Sequence, residues 1–300
     1  MSSKNSRRPS FNNLSKDEIL NSSFDLSLLS PAKVNLFFKI LFKRADGYHE
    51  IASLYQAISL SDQILFRKAD SFSLSCSDTS LDIGPSNLIA RAAGLFARKT
   101  GIQANVHIFL KKNIPIQAGL GGGSSNAATT LWAMNEIFDR PATLEQLMDW
   151  SSDLGSDVPF FFSSGSAYCT GRGEILHTVL YPPCTDSLTI VKPPYGLSTP
   201  LVFKHCDLSL LTDKNPAHSL LFFKQGIGDF YNDLEKPAFS IIPSLQELKN
   251  KLLACGFSSV TMSGSGTSFF CIGSGNIASI SDCFVKKVSF LSRSDRGWYE

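Results

Sequence analysis

Residues 115 to 128 read PIQAGLGGGSSNAA, four glycines and two serines set between two different periodicities. Upstream, Ala104, Val106, Ile108 and Leu110 alternate with Asn105, His107, Phe109 and Lys111, the pattern of a half-buried strand. Downstream, Ala127, Leu131, Met134 and Phe138 recur at helical spacing. A chain that passes from strand to helix over clustered glycines leaves the first N–H groups of the helix, and the positive end of its dipole, facing outward. Glycine also lets a ligand approach the backbone closely, and a phosphate suits such a place. A plain flexible turn is the competing reading; the order strand, glycines, hydroxyls, helix argues against it.

The rest of the composition narrows the classes. At 300 residues the chain can hold two ordinary domains, and 43% hydrophobic with 18% charged residues describes a soluble globular protein. A net charge of +2 argues against a broad nucleic-acid surface but not against a small anionic ligand. No apolar run approaches a membrane span. Seven cysteines with no C-x-x-C pair, and five histidines with no H-E-x-x-H, point to reduced thiols in a cytoplasmic enzyme rather than to a disulfide framework or a zinc site. Residues 1 to 23, rich in Ser, Asn and basic side chains, lack the apolar middle of a secretion signal. Asp17, Glu18 and the short length count against a transit peptide, so a disordered extension is expected.

Folded sequence is expected from Phe24. Leu28 to Ile40 reads as a strand or pair of strands with an edge or bulge at Pro31, and puts Lys33 and Asn35 on one side. Arg44 to His49 reads as a turn, and Ile51–Leu60 and Gln63–Phe66 as further strand. Helices are expected from Ser86 to Arg98 with Asn87 as cap, and from Thr143 with Gln146 completing a capping box. Another is expected from Ser244 to Ala254 with a Ser244–Glu247 capping box, and a last from about Asn276 to Val288. Ser156 to Phe162 reads as a loop leading into a strand. The proline-rich zone formed by Tyr181–Pro183 and Lys192–Gly196, which bracket a short strand at Leu188–Val191, is the expected boundary, giving domains 24–185 and 186–300.

Familiar phosphate loops fail here. No Lys follows the glycines as a P-loop requires, and the pattern from Gly119 ends in Ser124 where G-x-G-x-x-G needs glycine. The H-R-D and D-F-G segments of protein kinases are missing too. Three stretches in order, Pro31-Ala32-Lys33-Val34-Asn35, Pro115 to Ala128 and Ser263-Gly264-Ser265-Gly266, resemble instead the small-molecule kinase superfamily of galactokinase, homoserine kinase, mevalonate kinase and phosphomevalonate kinase. They span most of the chain from Phe24 onward. Arg44-Ala45-Asp46-Gly47-Tyr48-His49 separates the chain from the sugar and mevalonate kinases and resembles the branch whose substrate carries a cytidine diphosphate. Ser156, where that branch more often has Ala, and Ser263, where Thr is commoner, are small departures.

The resemblance implies an α+β protein of two domains, ribosomal-protein-S5-like then ferredoxin-like, with the active site in the cleft between them. It implies ATP and Mg²⁺, a small-molecule partner bearing a cytidine diphosphate, and no nucleic acid, membrane or obligatory protein partner. Asp157, just past a helix end and before an apolar run, is a candidate general base. Asp149, Asp153 and Asp157 also fit a solvated acidic face, and spacing alone leaves the two readings even. The resemblance sets Lys33 beside Asp157, although an ordinary strand lysine reads the same way. Whether proton removal precedes transfer stays open. Lys112, Pro115, Gly119, Leu120, Gly121, Gly122, Gly123, Ser124 and Ser125 form the expected ATP site; Ser124 could ligate Mg²⁺ or serve as a plain helix cap, and Lys112 could be merely solvated. By resemblance Tyr48 and Phe203 stack on the cytosine and His49 reads its edge. Asn35, Asn87 and Thr199 contact the rest of the substrate, and Gly264, Ser265 and Gly266 approach it as backbone. Another kinase of the superfamily, or a non-catalytic nucleotide-binding relative, are the rival readings.

Overall fold

The computed structural model describes residues 24–179, 187–294 and 297–299. The expected extension 1–23, the Tyr181–Pro183 zone and the 185/186 boundary lie outside the described residues.

Two long strands organise the first layer. β1 (Leu26–Lys43) and β2 (His49–Lys68) form an antiparallel hairpin around the Arg44–Tyr48 turn. The run expected as two strands from Ile51 to Phe66 is continuous, and the register slips between Pro31 and Ala32, as the proline suggested. β3 (Ser73–Cys76), β4 (Val106–Lys111), β5 (Ser166–Thr170) and β6 (Ile175–Thr178) extend this sheet, which reads β3-β4-β2-β1-β8 with β5 on the first half of β2 and β6 beyond it. β7 (Leu188–Lys192) belongs to the second sheet, whereas β8 (Tyr231–Asn232) joins β1 of the first in parallel. β9 (Ser259–Met262), β10 (Phe269–Ile272) and β11 (Phe284–Val288) complete the second sheet in the order β11-β7-β10-β9.

Helices cover both layers. α1 (Leu88–Thr100) is capped by Asn87 as expected and stopped by Gly101 in the left-handed region. α2 (Gly122–Ile137) follows the glycines directly, and its buried Ala127, Ala128, Leu131 and Met134 pack on the first sheet. α3 (Leu144–Ser151) carries the expected Thr143–Gln146 capping box. Pro159–Phe162 forms a 3-10 turn of buried aromatics rather than the entry of a strand. Beyond β7 come α4 (Thr199–Lys204), α5 (Pro216–Lys224), α6 (Glu235–Ile241) and α7 (Ser244–Ala254).

Two local expectations are corrected. Pro243, not Ser244, stands at the cap of α7; the Ser244 hydroxyl meets the Tyr195 phenol at 2.7 Å instead, so no capping box forms. No helix covers 276–288: Phe284 to Val288 is the strand β11, pairing with the fully buried β7 and covering an edge that would otherwise be left unpaired.

Candidate active site

Lys33 and Asn35 leave the same face of β1, and the Lys33 ammonium donates to Asn35 Oδ1 at 2.7 Å. Its other partner is Asp157, with Nζ 3.2 Å from Oδ2; the lysine side chain is 4% exposed and the aspartate 29%. Asp157 thus reaches the cleft while its countercharge lies beneath it, unlike a solvated helix acid. Tyr55 stands opposite Asn35 in the β1–β2 register. Its ring lies 4.5 Å from the Lys33 ammonium, and its phenol donates to Asp157 Oδ1 at 3.1 Å. Burial, then the neighbouring carboxylate, push that phenol well above its ordinary pKa, so it stays a donor at neutral pH. Asn35 donates in turn to Ser53, at 3.0 Å. An ammonium has three protons. Asn35 Oδ1 takes one of them, and Asp157 lies beside the ammonium as its countercharge.

The glycine loop is sewn to this couple. The Lys33 amide donates to Leu120 O at 2.9 Å. Gly121 caps α2 at φ 68, and a Cβ there would lie 2.9 Å from Lys33 Cγ. Gly119, at φ 72, leaves no room for a Cβ, which would sit 2.0 Å from Ser263 O of the second glycine turn. Ser263 itself donates to Gly119 O at 2.9 Å, and Asn232 of β8 donates to Met262 O and Gly264 O, both at 2.7 Å. The two small-residue turns are therefore one interlocked floor. No side chain caps α2, so its first amides are left for an anion.

These parts line a single cleft of ≈ 1020 Å³. Of the expected residues, all border it except Ser125, Asn35 and Gly266. Ser125 is buried, and its hydroxyl accepts from Ser30 Oγ at 2.8 Å, pointing into the core rather than at a nucleotide. Asn35 is fully buried under Lys33, with both ends of its amide engaged, so it steadies the lysine instead of facing the cleft. Gly266 packs behind Gly119. Lys112 borders the cleft but is not a solvated lysine. Its ammonium lies 2.9 and 3.1 Å from the two oxygens of buried Asp62 and also donates to Ile114 O. Asp62 further accepts from the amides of Asn113 and Ile114, so this ion pair anchors the foot of the glycine loop.

At the other end, Phe203 stacks on His49 with centroids 5.2 Å apart, while Tyr48 is exposed and carries the Arg172 guanidinium 5.0 Å above its ring. Tyr48 and Phe203 thus each face another partner. Burial, then Lys43, hold the His49 imidazole below its ordinary pKa, and it is neutral at pH 7. Thr199, at the start of α4, meets Ser265 of the second glycine turn at 2.7 Å, and Asn87 caps α1 from the cleft wall. Tyr55 and Arg172 were not expected. Only the pairing of Tyr55 with Asn35 across the hairpin could have flagged it, because it sits inside the apolar run of β2. Among the described residues, no group of three His, Cys, Asp or Glu could hold a metal ion, and no helix is long and apolar enough to cross a membrane.

A carboxylate on a buried lysine, in one cleft with an uncapped helix start, is an arrangement suited to moving a phosphoryl group to a hydroxyl. Known proteins agree with that chemistry. The model of the GHMP kinases N terminal domain matches residues 87–165, and that of the GHMP kinases C terminal matches 214–287. The 4-diphosphocytidyl-2-C-methyl-D-erythritol kinase of Protochlamydia amoebophila is 50% identical over 95% of this chain and 97% of its own. The chloroplastic enzyme of that name from Arabidopsis thaliana is 41% identical over 92% of this chain and 76% of its own. A crystal structure of 4-(cytidine 5'-diphospho)-2C-methyl-D-erythritol kinase, 32% identical, superposes with a TM-score of 0.75 over 88% of this chain and 99% of its own. A mevalonate kinase, 13% identical, shares the fold with a TM-score of 0.60 over 90% of this chain and 100% of its own. With both domain models matched in order and 50% identity over 95% of its length to a relative aligned over 97% of its own, the chain is a GHMP kinase and belongs to the 4-diphosphocytidyl-2-C-methyl-D-erythritol kinase family.

Proposed function

We propose that the chain transfers the γ-phosphoryl group of ATP to the 2-hydroxyl of 4-diphosphocytidyl-2-C-methyl-D-erythritol, with Asp157 and Lys33 at the reacting hydroxyl. The observation that carries this reading is the Lys33–Asp157 couple, 3.2 Å apart, in the same cleft as the uncapped start of α2 and the Tyr48–His49–Phe203 aromatics. Asp157 accepts the hydroxyl proton, and the Lys33 ammonium offsets charge on the attacking oxygen. Gly119 to Ser124 receive the triphosphate on backbone amides, with Pro115, Leu120, Asn87 and the anchored Lys112 shaping the wall. Tyr48, His49 and Phe203 take the cytosine; Thr199, Gly264 and Ser265 border the rest of the substrate.

Mg²⁺ belongs to the same proposal. Asp157 is committed to Lys33 and Tyr55, and Ser124 is the hard oxygen at the helix start. That donor set fits a cation held mainly by the triphosphate and its own waters. When bound, Mg²⁺ neutralises phosphate charge. The six cysteines of the described residues are all free, which suits a reducing compartment, and a cytoplasmic location completes the proposal. The test is incubation with ATP, Mg²⁺ and the cytidine substrate, followed by phosphorus NMR. The 2-phosphate and ADP are expected, with no transfer to galactose or mevalonate. Preference for either of those acceptors would overturn the reading.

A further inference from the structure

The turn between β5 and β6 connects the two ends of the cleft. The Gly171 amide donates to Glu50 Oε1 at 3.0 Å, and the Ile51 amide donates to Gly171 O at 2.8 Å, so the turn is pinned to the start of β2. Glu50 also pairs with Arg44 at 2.6 Å, Arg44 with Asp46 at 3.1 Å, and Asp46 accepts the Tyr48 amide at 3.0 Å. Turn and hairpin loop are one network. Within it, Arg172 lies with its guanidinium 5.0 Å above the Tyr48 ring. The following residue, Gly173, stands against the reacting couple: a Cβ there would be 2.8 Å from the Tyr55 phenol oxygen and 3.7 Å from Asp157 Oδ1. Arg172 therefore touches the base platform while its chain neighbour touches the base catalyst.

A substrate with cytidine on Tyr48 and its reacting hydroxyl at Asp157 must carry its two phosphates between those points. Arg172 borders the same cleft, with its guanidinium over Tyr48 and its chain neighbour Gly173 against Tyr55 and Asp157. Its Nε lies 3.4 Å from Glu174 Oε1, and its side chain is 39% exposed. The two terminal nitrogens of its fork match phosphate oxygens in pairs. Resting on the function proposed above, we infer that Arg172 is a specificity-determining residue that binds the substrate diphosphate and braces the Tyr48 ring. It favours acceptors carrying a nucleoside diphosphate over neutral ones.

The test compares binding of CDP and of cytidine, by calorimetry with a non-hydrolysable ATP analogue saturating the nucleotide site, to wild type, Arg172→Gln and Arg172→Lys. Arg172→Gln is expected to weaken CDP about tenfold while changing cytidine far less, because one charge-assisted contact is lost at a half-open position. Arg172→Lys recovers part of the loss, since the charge returns without the fork. The KM for ATP stays unchanged. Equal weakening of CDP and cytidine would reduce Arg172 to a prop for the ring and overturn the assignment, as would unchanged CDP binding. Arg172→Lys keeps the question answerable if the glutamine variant folds poorly. Wild-type turnover of the cytidine substrate separates the two levels: its absence defeats the function, whereas its presence with unaltered variants defeats only the role of Arg172.

Discussion

Tyr55→Phe removes one hydroxyl and nothing else. The ring stays 4.5 Å from the Lys33 ammonium, but the 3.1 Å hydrogen bond to Asp157 Oδ1 is lost. A hydrogen bond to a charged acceptor contributes about 1.5–3 kcal/mol. Asp157 keeps Lys33 at 3.2 Å and is 29% exposed, so water replaces part of the lost bond. That leaves about 1 kcal/mol, or about a fivefold fall in kcat, if the phenol holds the carboxylate in its reacting position. The groups facing Asp157 are Lys33 on β1, Tyr55 on β2 and the Cys169 thiol on β5, whose pKa burial and then Asp157 drive well above the ordinary range, leaving it neutral. The assay is steady-state kinetics with both KM values measured and Tyr55→Leu as the variant that also loses the ring. An unchanged kcat in Tyr55→Phe would refute the positioning argument.

Three further outcomes are expected. Gly119→Ala places a Cβ 2.0 Å from Ser263 O at φ 72, forcing the two glycine turns apart; left-handed strain alone costs about 1–2 kcal/mol, so melting temperature and kcat/KM should both drop, the latter by at least about tenfold. Wild-type kinetics would contradict the close approach. Lys112→Met leaves the fully buried Asp62 carboxylate without its cation and should cost about 3 kcal/mol in urea unfolding, the lower end for a broken buried pair because two backbone amides still hold Asp62. A loss within about 0.5 kcal/mol would show that the pair does not anchor the loop. The His49 imidazole, held below its ordinary 6.5 by burial and then by Lys43, is neutral at pH 7 and gains its proton only as pH falls through that lowered value. The KM for the cytidine substrate should be flat above neutrality and rise only on the acid side, a rise that must disappear in His49→Gln.

Features written in neighbouring residues were the ones legible in the sequence. The strand–glycine–helix order, the Asn87 cap, the Thr143–Gln146 box and the place of Asp157 past a helix end all depend on short spacings, and the structure has them. What was missed depends on long-range pairing. Tyr55 meets Asp157 across 102 residues through the register of β2, and no local pattern marks a tyrosine inside an apolar strand. Ser125 looked like a second phosphate hydroxyl, but one helical step turns it from the cleft to Ser30. Asn35 shares the face of Lys33, yet the lysine covers it. The 276–288 segment became β11 because β7 offers it an edge, and Ser244 lost its box because Tyr195 took its hydroxyl. In both cases a tertiary partner outweighed a local preference worth about 1 kcal/mol or less.

The carboxylate at Asp157 carries the proposed chemistry. The decisive measurement is the rate at which Asp157→Asn transfers labelled γ-phosphate from ATP to 4-diphosphocytidyl-2-C-methyl-D-erythritol, beside its affinity for ATP. The variant keeps the size of the side chain and its place above Lys33 but cannot accept the hydroxyl proton. A fall in kcat of at least about a hundredfold with ATP affinity retained is expected. Transfer at the wild-type rate would contradict the central claim.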